Sequence, residues 1–516
     1  MLKGWRPYFI IFTLGFLLYG QTLFFDFTYL DDNALILDNA PILQEQGISG
    51  IFLNDAFFSN SNIYYRPLLN LTIWLDMKIG AINPFIFHFS NILIHLIVAS
   101  LIFAIFRKMK YQPLLSFFLA VLFLVHPALT QAVAWIPGRN DSLLALFILS
   151  SFLFLLNFYD KKKLKYYLFH LGLFLLALFT KETAIFAPIV FFSYLLFIKK
   201  EKVFSTDNWL LYLGWATSIF IYFLVRRLAL DSGPSLQITE ILISFKDNLS
   251  AFLIASGKIL FPINLKVLPI ITDSTLWYGW LTVIIIILSF VFSKKRNWRY
   301  FLFGLIWFLA FLVPTLFLHN PQWGVDFHLE HRIYLPLVGF LFLLTEFFNF
   351  KEINWDKKRV KVIASLLIII LAVLTIYHSR NFKDRLIFWE TASEDSPHSP
   401  LAQRNLGVMY YFADDLISAE KYYRRALALN EKEPMVHNNL GVIYMKQGSY
   451  GSAEKEFKKE LAINPEYDKA LFNLGDLYDR QQRLTEARQL WEEALRINPA
   501  YYEAQERLLI LENQLR

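Results

Sequence analysis

Eleven apolar stretches of roughly membrane-spanning length constrain this chain more than any other feature of its sequence. A bilayer core is crossed by about 20 mostly apolar residues in a helix, whose backbone groups are all bonded internally. The stretches cover residues 8–25, 85–106, 113–131, 142–158, 165–180, 184–198, 209–229, 277–293, 300–318, 334–349 and 361–377. The sequence therefore predicts an all-α fold whose main part is a polytopic transmembrane helix bundle, and a hydrophobic content of 56% agrees with this.

The basic residues in the short loops predict which side of the membrane each loop faces. Basic runs occur at the N-terminus and in "RKMK", "KKKLK", "KKEK", "KKRNWR" and "KEINWDKKRVK", and they hold 21 of the 34 Lys and Arg residues before position 401. These runs fall in every second loop between the eleven spans, and an excess of Lys and Arg marks cytoplasmic loops. We therefore expect a cytoplasmic N-terminus with a retained first helix. The chain beyond residue 377 is expected outside, and segment 247–263 is expected to be re-entrant or interfacial.

This sidedness collects the unusual polar residues on the outer side. Asp31 and Asp32 open a long outer loop over residues 26–84, which also carries Arg66. The other polar residues assigned to this side are His88, Asn91, His95, His126, Arg139, Asp141, Lys181, Glu182, Glu330, His331 and Arg332. Ionisable groups near membrane depth are costly and usually functional. A single shared polar site at the outer boundary is the simplest prediction.

Each group also has a structural interpretation, which the sequence leaves open. The paired acids are good helix caps, and the histidines are compatible with buried packing positions. Lys181 and Glu182 are compatible with an internal ion pair. Arg139 and Arg332 are compatible with side chains that snorkel to the membrane interface.

The residue types at the site favour group transfer from a phosphate-linked donor. The sequence has no Cys, no Gly-rich phosphate loop, no HExxH and no nucleophile elbow, and its His and Asp residues lack a clear metal-ligand spacing. No metal site is predicted from the residues, and the sequence leaves open whether the chain needs a divalent metal ion. A carboxylate can take a proton from a hydroxyl while Arg and His hold a leaving phosphate. Outside the cytoplasm, the expected donor is a lipid phosphate.

Several strings resemble the glycosyltransferase C superfamily, and most closely the transmembrane and tetratricopeptide repeat O-mannosyltransferase family. They are "YLDDNALILDN", "YYRPLLNLT", "HFSNILIH", "HPALTQAVAWIPGRND", "TKET", "EHRIYLP" and the repeats that follow. The resemblance implies a multi-helix enzyme that takes a sugar from a polyprenyl-phosphate or dolichyl-phosphate carrier on the exoplasmic side. It also implies an inverting transfer, in which an acid of the first outer loop is the base.

On that pattern Asp31 is the first candidate for the base, and Asp32 is the second or orients the acceptor. Arg139, His331 and Arg332 are implied to face the carrier phosphate. The other candidate site residues are Arg66, His88, Asn91, His95, His126, Asp141, Lys181, Glu182 and Glu330. The family pattern leads us to expect an acid where this chain has Gln131, which leaves the role of that position open.

A strict period of 34 residues begins near position 401. "NLGVMY", "NLGVIY" and "NLGDLY" recur at Asn405, Asn439 and Asn473, and an alanine keeps one further offset. This is the tetratricopeptide signature, and such helix pairs stack into a solenoid with a concave groove. The expected domains are therefore a glycosyltransferase C-like unit over 1–378, a junction over 379–400, and three repeats with a capping helix over 401–516.

The sequence supports one main functional hypothesis and two alternatives. The main hypothesis is an integral-membrane glycosyltransferase that moves one mannose or similar hexose from a polyprenyl-phosphate donor to a hydroxyl, with protein Ser or Thr as the expected acceptor. The repeat groove is expected to bind that acceptor or another protein partner, and it is also compatible with a structural or oligomerisation role. The alternatives are a membrane scaffold without enzymatic activity and a transferase of whole oligosaccharides, as in O-antigen ligases.

The partners and the location follow from the same patterns. Residues 401–516 carry 16 basic against 18 acidic side chains, so no nucleic-acid partner is expected. The expected location is a bacterial cytoplasmic membrane, with the repeats outside.

Overall fold

The chain was analysed as a computed structural model, which describes residues 2–45, 47–58, 64–202, 205–230, 238–292, 297–317 and 329–515. Within these ranges the regular structure is helical and contains no β-strand. The predicted all-α class is thus confirmed for the described part of the chain. The described residues up to Thr391 form one compact unit, and those from Ala392 onward form a second.

The first unit is built from long helices joined by short helical turns. The helices of ten residues or more are Arg6–Tyr19, Pro67–Gly80, Pro84–Lys108, Pro113–Leu124, Arg139–Lys161, Leu164–Leu178, Thr206–Ala229, Ile238–Asp247, Leu249–Leu260, Trp277–Phe292, Trp298–Leu312, Tyr334–Glu346 and Lys358–Ser379. A further helix, Arg385–Asp395, begins in this unit and ends in the second one. The shorter elements are Gly20–Phe24, Asn33–Leu37, Ala40–Glu45, Gly47–Phe52, Pro127–Leu129, Thr130–Ala134, Ile136–Gly138, Glu182–Phe186, Ala187–Ser193, Tyr194–Lys199, Val313–Phe317, Glu330–Ile333, Phe347–Glu352 and Arg380–Phe382.

Seven continuous helical stretches among the described residues are long and apolar enough to cross a membrane. They are Arg6–Phe24, Pro84–Lys108, Ile136–Lys161, Glu182–Lys199, Asn208–Ala229, Trp298–Phe317 and Lys358–Phe382. Pro113–Leu124 and Pro127–Ala134 form an eighth candidate that is bent by 52°. The remaining predicted spans coincide with shorter helices, namely Leu164–Leu178, Trp277–Phe292 and Tyr334–Glu346. A count of eleven spans is therefore not confirmed and stays a prediction.

The bend in the eighth candidate has a local cause at Pro127. Proline lacks the backbone N–H that an uninterrupted helix needs, so the helix stops at Leu124 and restarts at Thr130. The His126 ring holds the break, since its Nδ1 accepts a hydrogen bond from the amide of Ala128 at 3.3 Å. The restarted helix Thr130–Ala134 carries Gln131 away from the axis of the preceding helix.

A close helix crossing anchors the turn that contains the "EHR" string. Helices Trp298–Leu312 and Tyr334–Glu346 meet at two glycines, and a Cβ on Gly339 would lie 2.4 Å from the amide nitrogen of Phe308. Only glycine permits such an approach of two backbones. Glu330–Ile333 directly precedes the second of these helices, so the crossing fixes the position at which that turn ends.

The loop that follows the first helix has its own apolar core. Its members are Phe27, Leu35, Ile36, Ala40, Leu43, Ile51, Leu69, Ile73, Met77, Phe87 and Ile136. Phe87 belongs to helix Pro84–Lys108, and Ile136 belongs to the turn before helix Arg139–Lys161. The segment that carries Asp31 and Asp32 is therefore packed against the bundle through buried apolar contacts.

The second unit consists of three helix pairs and a final helix. The pairs are Pro400–Phe412 with Leu416–Leu429, Val436–Lys446 with Tyr450–Ile463, and Asp468–Arg480 with Leu484–Ile497, and the final helix is Tyr502–Leu515. In each pair a glycine of the first helix lies against an aromatic ring of the second. A Cβ on Gly407, Gly441 or Gly475 would lie 2.6 to 2.7 Å from Tyr423, Phe457 or Trp491, respectively. These glycines therefore allow the two helices of each pair to pack closely.

Candidate active site

The paired acids occupy different environments although they are adjacent in sequence. Asp32 is 1% exposed, and its Oδ2 accepts hydrogen bonds from the amide of Thr28 at 3.1 Å and from the hydroxyl of the same residue. Asp31 is half-buried as a residue, and its carboxylate accepts no hydrogen bond from any other residue in the described ranges. Arg66 and Arg332 lie within electrostatic range of Asp31. Asp31 therefore keeps its oxygens available, whereas Asp32 is held by Thr28.

The surroundings of Asp31 also change its acidity. Burial, reinforced by the neighbouring charge of Asp32, raises the pKa of Asp31 to about 6, although Arg66 and Arg332 act in the opposite direction. Burial likewise raises the pKa of Asp32, and the hydrogen bonds from Thr28 oppose that rise. A carboxylate whose pKa lies close to neutral pH is better suited to take and release a proton than an ordinary one.

Lys181 and Glu182 both form ion pairs, but with other segments and not with each other. The guanidinium of Arg66 donates two hydrogen bonds to the carboxylate of Glu182. Arg66 Nη2 lies 3.0 Å from Glu182 Oε2, and Arg66 Nε lies 3.1 Å from Glu182 Oε1. Lys181 Nζ lies 2.6 Å from Asp141 Oδ2. The interpretation of Lys181 and Glu182 as one internal pair is wrong, because consecutive side chains point to different partners.

Asp141 is the centre of a charged cluster. Besides Lys181, its Oδ2 faces His331 Nε2 at 3.5 Å, and Arg66 and Arg332 lie within electrostatic range of it. The structure thus brings together residues from four separated strings of the sequence. Together with Asp31 and Glu182 they form what we call the central cluster: Asp31, Arg66, Asp141, Lys181, Glu182, His331 and Arg332.

Arg139 is directed into the protein and not toward the central cluster. It is 0% exposed, and its Nη1 lies 2.6 Å from Asp76 Oδ2. Its Nε donates to Asn91 Oδ1 at 2.6 Å, and its Nη2 donates to the carbonyl of Phe87 at 2.8 Å. This arrangement favours a structural clamp between three helices over the implied contact with a carrier phosphate, which stays a prediction. Sequence reasoning missed Asp76, although an acid within the apolar string "NLTIWLDMKIG" is a signal.

The three outer histidines lie among helix-packing contacts. His95 Nδ1 lies 2.6 Å from the hydroxyl of Tyr334, and its Nε2 lies 3.0 Å from the carbonyl of Leu124. His126 Nε2 lies 2.9 Å from the carbonyl of Ile259. Among the described residues, neither ring nitrogen of the buried His88 has a hydrogen-bond partner. These contacts favour the packing interpretation for His95 and His126.

Glu330 is fully buried and anchors the turn that carries His331 and Arg332. Its Oε1 lies 2.6 Å from Lys258 Nζ and accepts the amide of Lys266 at 2.8 Å, while its Oε2 lies 3.2 Å from His378 Nε2. The turn is therefore tied to helix Leu249–Leu260 and to helix Lys358–Ser379. Sequence reasoning missed Lys258 and His378. The lysine within the apolar string "LIASGKILFPI" could have indicated the first of them, because an isolated charge there requires a partner.

Gln131 bridges two segments next to the central cluster. Its Oε1 accepts the backbone amide of His331 at 3.0 Å and lies 3.2 Å from the Nδ1 of the same residue. Its Nε2 donates to the carbonyl of Val267 at 2.9 Å. Within the described ranges no three His, Asp or Glu side chains are grouped so as to hold a metal ion.

Part of this helical unit, including several residues of the central cluster, matches a family model. Residues 66–226 match the model of the family described as dolichyl-phosphate-mannose-protein mannosyltransferase. The matched range includes Arg66, Arg139, Asp141, Lys181 and Glu182. Residues 406–511 match the model of the middle TPR-like domain of cilia and flagella-associated protein 70.

Several individual proteins are also similar to this chain in sequence. The human protein O-mannosyl-transferase TMTC2 is 37% identical over 145 residues, which covers 27% of this chain and 17% of that protein. Human TMTC4 is 24% identical over 470 residues, which covers 77% of this chain and 63% of that protein. The protein O-mannosyl-transferase F38B6.6 of Caenorhabditis elegans is 25% identical and covers 83% of this chain and 63% of its own length.

The resemblance inferred from the motifs is confirmed by these similarities, which also support a glycosyltransferase. The chain spans less than two thirds of the length of each of these relatives. A solved structure, the first TPR of Spaghetti (RPAP3) bound to an HSP90 peptide, covers 22% of this chain and 92% of its own at 23% identity. Its TM-score is 0.22, which is too low to support a structural argument.

Proposed function

We propose that this protein transfers a single mannose or similar hexose from a polyprenyl-phosphate donor to the hydroxyl of a protein Ser or Thr. One observation carries the proposal: Asp31 has an uncommitted carboxylate with a raised pKa, beside Arg66 and Arg332. The matches to mannosyltransferase families support the same reaction class.

In the proposed reaction, Asp31 accepts the proton of the acceptor hydroxyl as its oxygen attacks the anomeric carbon. The bond between that carbon and the phosphate oxygen breaks on the opposite face, so the configuration inverts and the electron pair leaves with the phosphate. Water then takes the proton from Asp31. Cations near the leaving oxygens stabilise the developing charge. Arg332 and His331 remain the residues proposed to face the phosphate, and Arg66 and Lys181 add positive charge because they lie in the same cluster.

The proposed site faces the exoplasmic side of the membrane, and the repeats lie on that side. The basic runs of the alternate loops support this orientation. On that basis the repeat groove presents the polypeptide acceptor, or a protein that delivers it. A bacterial cytoplasmic membrane is the proposed location.

The test is intact-mass analysis of envelope proteins from cells that express the wild type, Asp31→Asn, or a deletion of residues 401–516. Asp26→Asn is the matched control, because Asp26 is an exposed acid in the same loop. The proposal expects single-hexose increments with the wild type and with Asp26→Asn, and none with Asp31→Asn at equal membrane levels.

Other results would support the alternatives. Unchanged glycosylation in both Asp31→Asn and the repeat deletion would reject the transferase and leave the scaffold. A polymeric mass addition that depends on Asp31 would indicate transfer of a whole oligosaccharide.

A further inference from the structure

Gln131 contacts His331, and the direction of the hydrogen bonds between them bears on the protonation of the His331 imidazole in the central cluster. The two residues are 200 positions apart in sequence, and the Gln131 amide reaches both the backbone and the ring of His331. The amide stands where the resemblance leads us to expect an acid. Its effect can be derived from the direction of each hydrogen bond.

The orientation of the Gln131 amide is set by its two neighbours. The carbonyl of Val267 can only accept a hydrogen bond, so the Nε2 of Gln131 must face it, as observed at 2.9 Å. The backbone amide of His331 can only donate, so Oε1 must face that side, as observed at 3.0 Å. Exchanging the nitrogen and oxygen would place donor against donor and acceptor against acceptor. Two independent contacts therefore specify the same orientation.

A proton on Nδ1 of His331 follows from this orientation. The Nδ1 atom lies 3.2 Å from Oε1, which has no proton to offer, so the hydrogen bond forms only when Nδ1 is the donor. The remaining ring nitrogen, Nε2, faces Asp141 Oδ2 at 3.5 Å. A lone pair on Nε2 would oppose that carboxylate, whereas a second proton would be directed at it. The arrangement favours a doubly protonated, cationic ring.

The backbone around Gln131 is also held in place. A Cβ on Gly138 would lie 2.4 Å from the carbonyl oxygen of Gln131, so the turn Ile136–Gly138 closes tightly over this residue. On the other side, Val267 adjoins Lys266, whose amide donates to Glu330. The Gln131 amide therefore lies between two fixed segments and has little freedom to turn.

We propose that Gln131 is a positioning residue, which keeps the proton on Nδ1 of His331 and directs Nε2 toward Asp141, so that the ring presents a positive charge to the donor phosphate. The inference deepens the proposed transfer function and rests on it. It assigns Gln131 no contact with the reacting atoms.

A double-mutant cycle on the purified full-length chain tests the proposal. Initial rates with polyprenyl-phosphate mannose and a Ser/Thr peptide are compared for the wild type, Gln131→Leu, His331→Ala and the double variant. Gln131→Leu removes the two hydrogen bonds to His331 and the one to Val267, and it is expected to raise the donor KM about tenfold. If Gln131 acts through His331, adding Gln131→Leu to His331→Ala should change the donor KM by less than about twofold.

Two further variants separate positioning from simple support of the fold. Gln131→Glu retains an acceptor for His331 but loses the donor to Val267, so it should keep the donor KM within about threefold of the wild type. Gln21→Leu is the matched control, because Gln21 also donates to a carbonyl, that of Ile376 at 3.2 Å, outside the central cluster. Multiplicative losses in the double variant, or a Glu variant as impaired as the Leu variant, would overturn the proposal.

A spectroscopic measurement keeps this inference separate from the proposed function. The nitrogen NMR signals of His331, identified by their loss in His331→Asn, should show a protonated Nδ1 in the wild type and a change in Gln131→Leu. A wild-type chain that transfers no sugar would reject the proposed function, and the ring signals would still decide the protonation. An Nδ1 without a proton in the wild type would refute the inference even if transfer is observed.

Discussion

Sugar transfer should depend on pH near neutrality because of the environment of Asp31. Burial, with the neighbouring charge of Asp32, raises the pKa of this carboxyl from an ordinary value of 3.8 to about 6. A general base acts only when ionised, so the rate should rise with pH across that value. An aspartate with an ordinary pKa would already be ionised throughout the same range.

The size of the effect follows from the fraction of Asp31 that is ionised. With a pKa of about 6, roughly a tenth of the carboxyl is ionised at about pH 5 and roughly nine tenths at about pH 7. The value of kcat/KM should therefore rise about tenfold between those two pH values. With the ordinary pKa the corresponding rise would be less than about 10%.

Two substitutions should move this pH dependence in opposite directions. Asp32→Asn removes the neighbouring negative charge that helps to raise the pKa of Asp31, so the rise should shift to lower pH. Arg66→Met removes a positive charge that lowers this pKa, so the rise should shift to higher pH. A shared loss of rate without these opposite shifts would show that the residues act on folding and not on Asp31.

Asp31→Asn serves as the reference for loss of the base, and its folding can be checked separately. A carboxyl whose pKa is raised in the folded state stabilises the fold below its ordinary pKa, and that contribution is lost as the pH rises through about 6. The neutral amide should therefore be at least as stable as the wild type at neutral pH, while the rate falls by about 10²-fold or more. Initial rates with a synthetic lipid donor and thermal unfolding in detergent measure the two effects. A flat pH profile, or a fully active Asp31→Asn, would refute the assignment of the base.

Two stability predictions follow from buried contacts. Lys258→Met removes the ammonium group paired with the buried Glu330, which then keeps only His378 and the amide of Lys266 as partners, and should destabilise the membrane unit by about 3–5 kcal/mol in detergent unfolding. Lys361→Met breaks only an exposed pair and should cost less than about 1 kcal/mol. Gly441→Ala places a Cβ 2.6 Å from the ring of Phe457 and should destabilise the isolated repeats by about 1–3 kcal/mol in denaturant unfolding. Gly451→Ala meets no atom within 4 Å and should cause no loss.

Equal effects within either pair would contradict the reasoning. If Lys258→Met and Lys361→Met were equally stable, the contact between Lys258 and Glu330 would not stabilise the turn Glu330–Ile333. Helix propensity favours alanine over glycine at both positions, so a Gly451→Ala variant as unstable as Gly441→Ala would show that the loss does not come from the contact with Phe457.

The repeats were the part of the fold that the sequence predicted most completely. Their period places a glycine and an aromatic residue on facing helices of the same unit, as in Gly407 and Tyr423. The two positions lie within one helix pair, so local pattern and spacing are enough to predict the contact. Apolar length likewise located the membrane helices, although it could not decide how many of them are complete spans.

The candidate site could be predicted as a list of residues but not as a set of partners. The motifs indicated Asp31 and Arg332 as candidate site residues, which stay predictions. The motifs also carried the family resemblance, and the comparisons confirm this resemblance in the helical unit and the repeats. The resemblance implies that Arg139 faces the donor phosphate, whereas in the structure its guanidinium pairs with Asp76. The residue type alone could not distinguish these outcomes, because an arginine suits both an internal carboxylate and an external phosphate.

The sequence by itself therefore determined the helical class, the repeat unit and the chemical types available to the site. Only the tertiary structure decided that Asp31 stays uncommitted while Asp32 is held by Thr28, and that Gln131 meets His331 across 200 positions of chain. The physical reason lies in the range of the interactions. Helix periodicity is set by neighbours three or four residues apart, whereas the charge state of a buried group depends on which distant segments exclude water around it and which partners they supply.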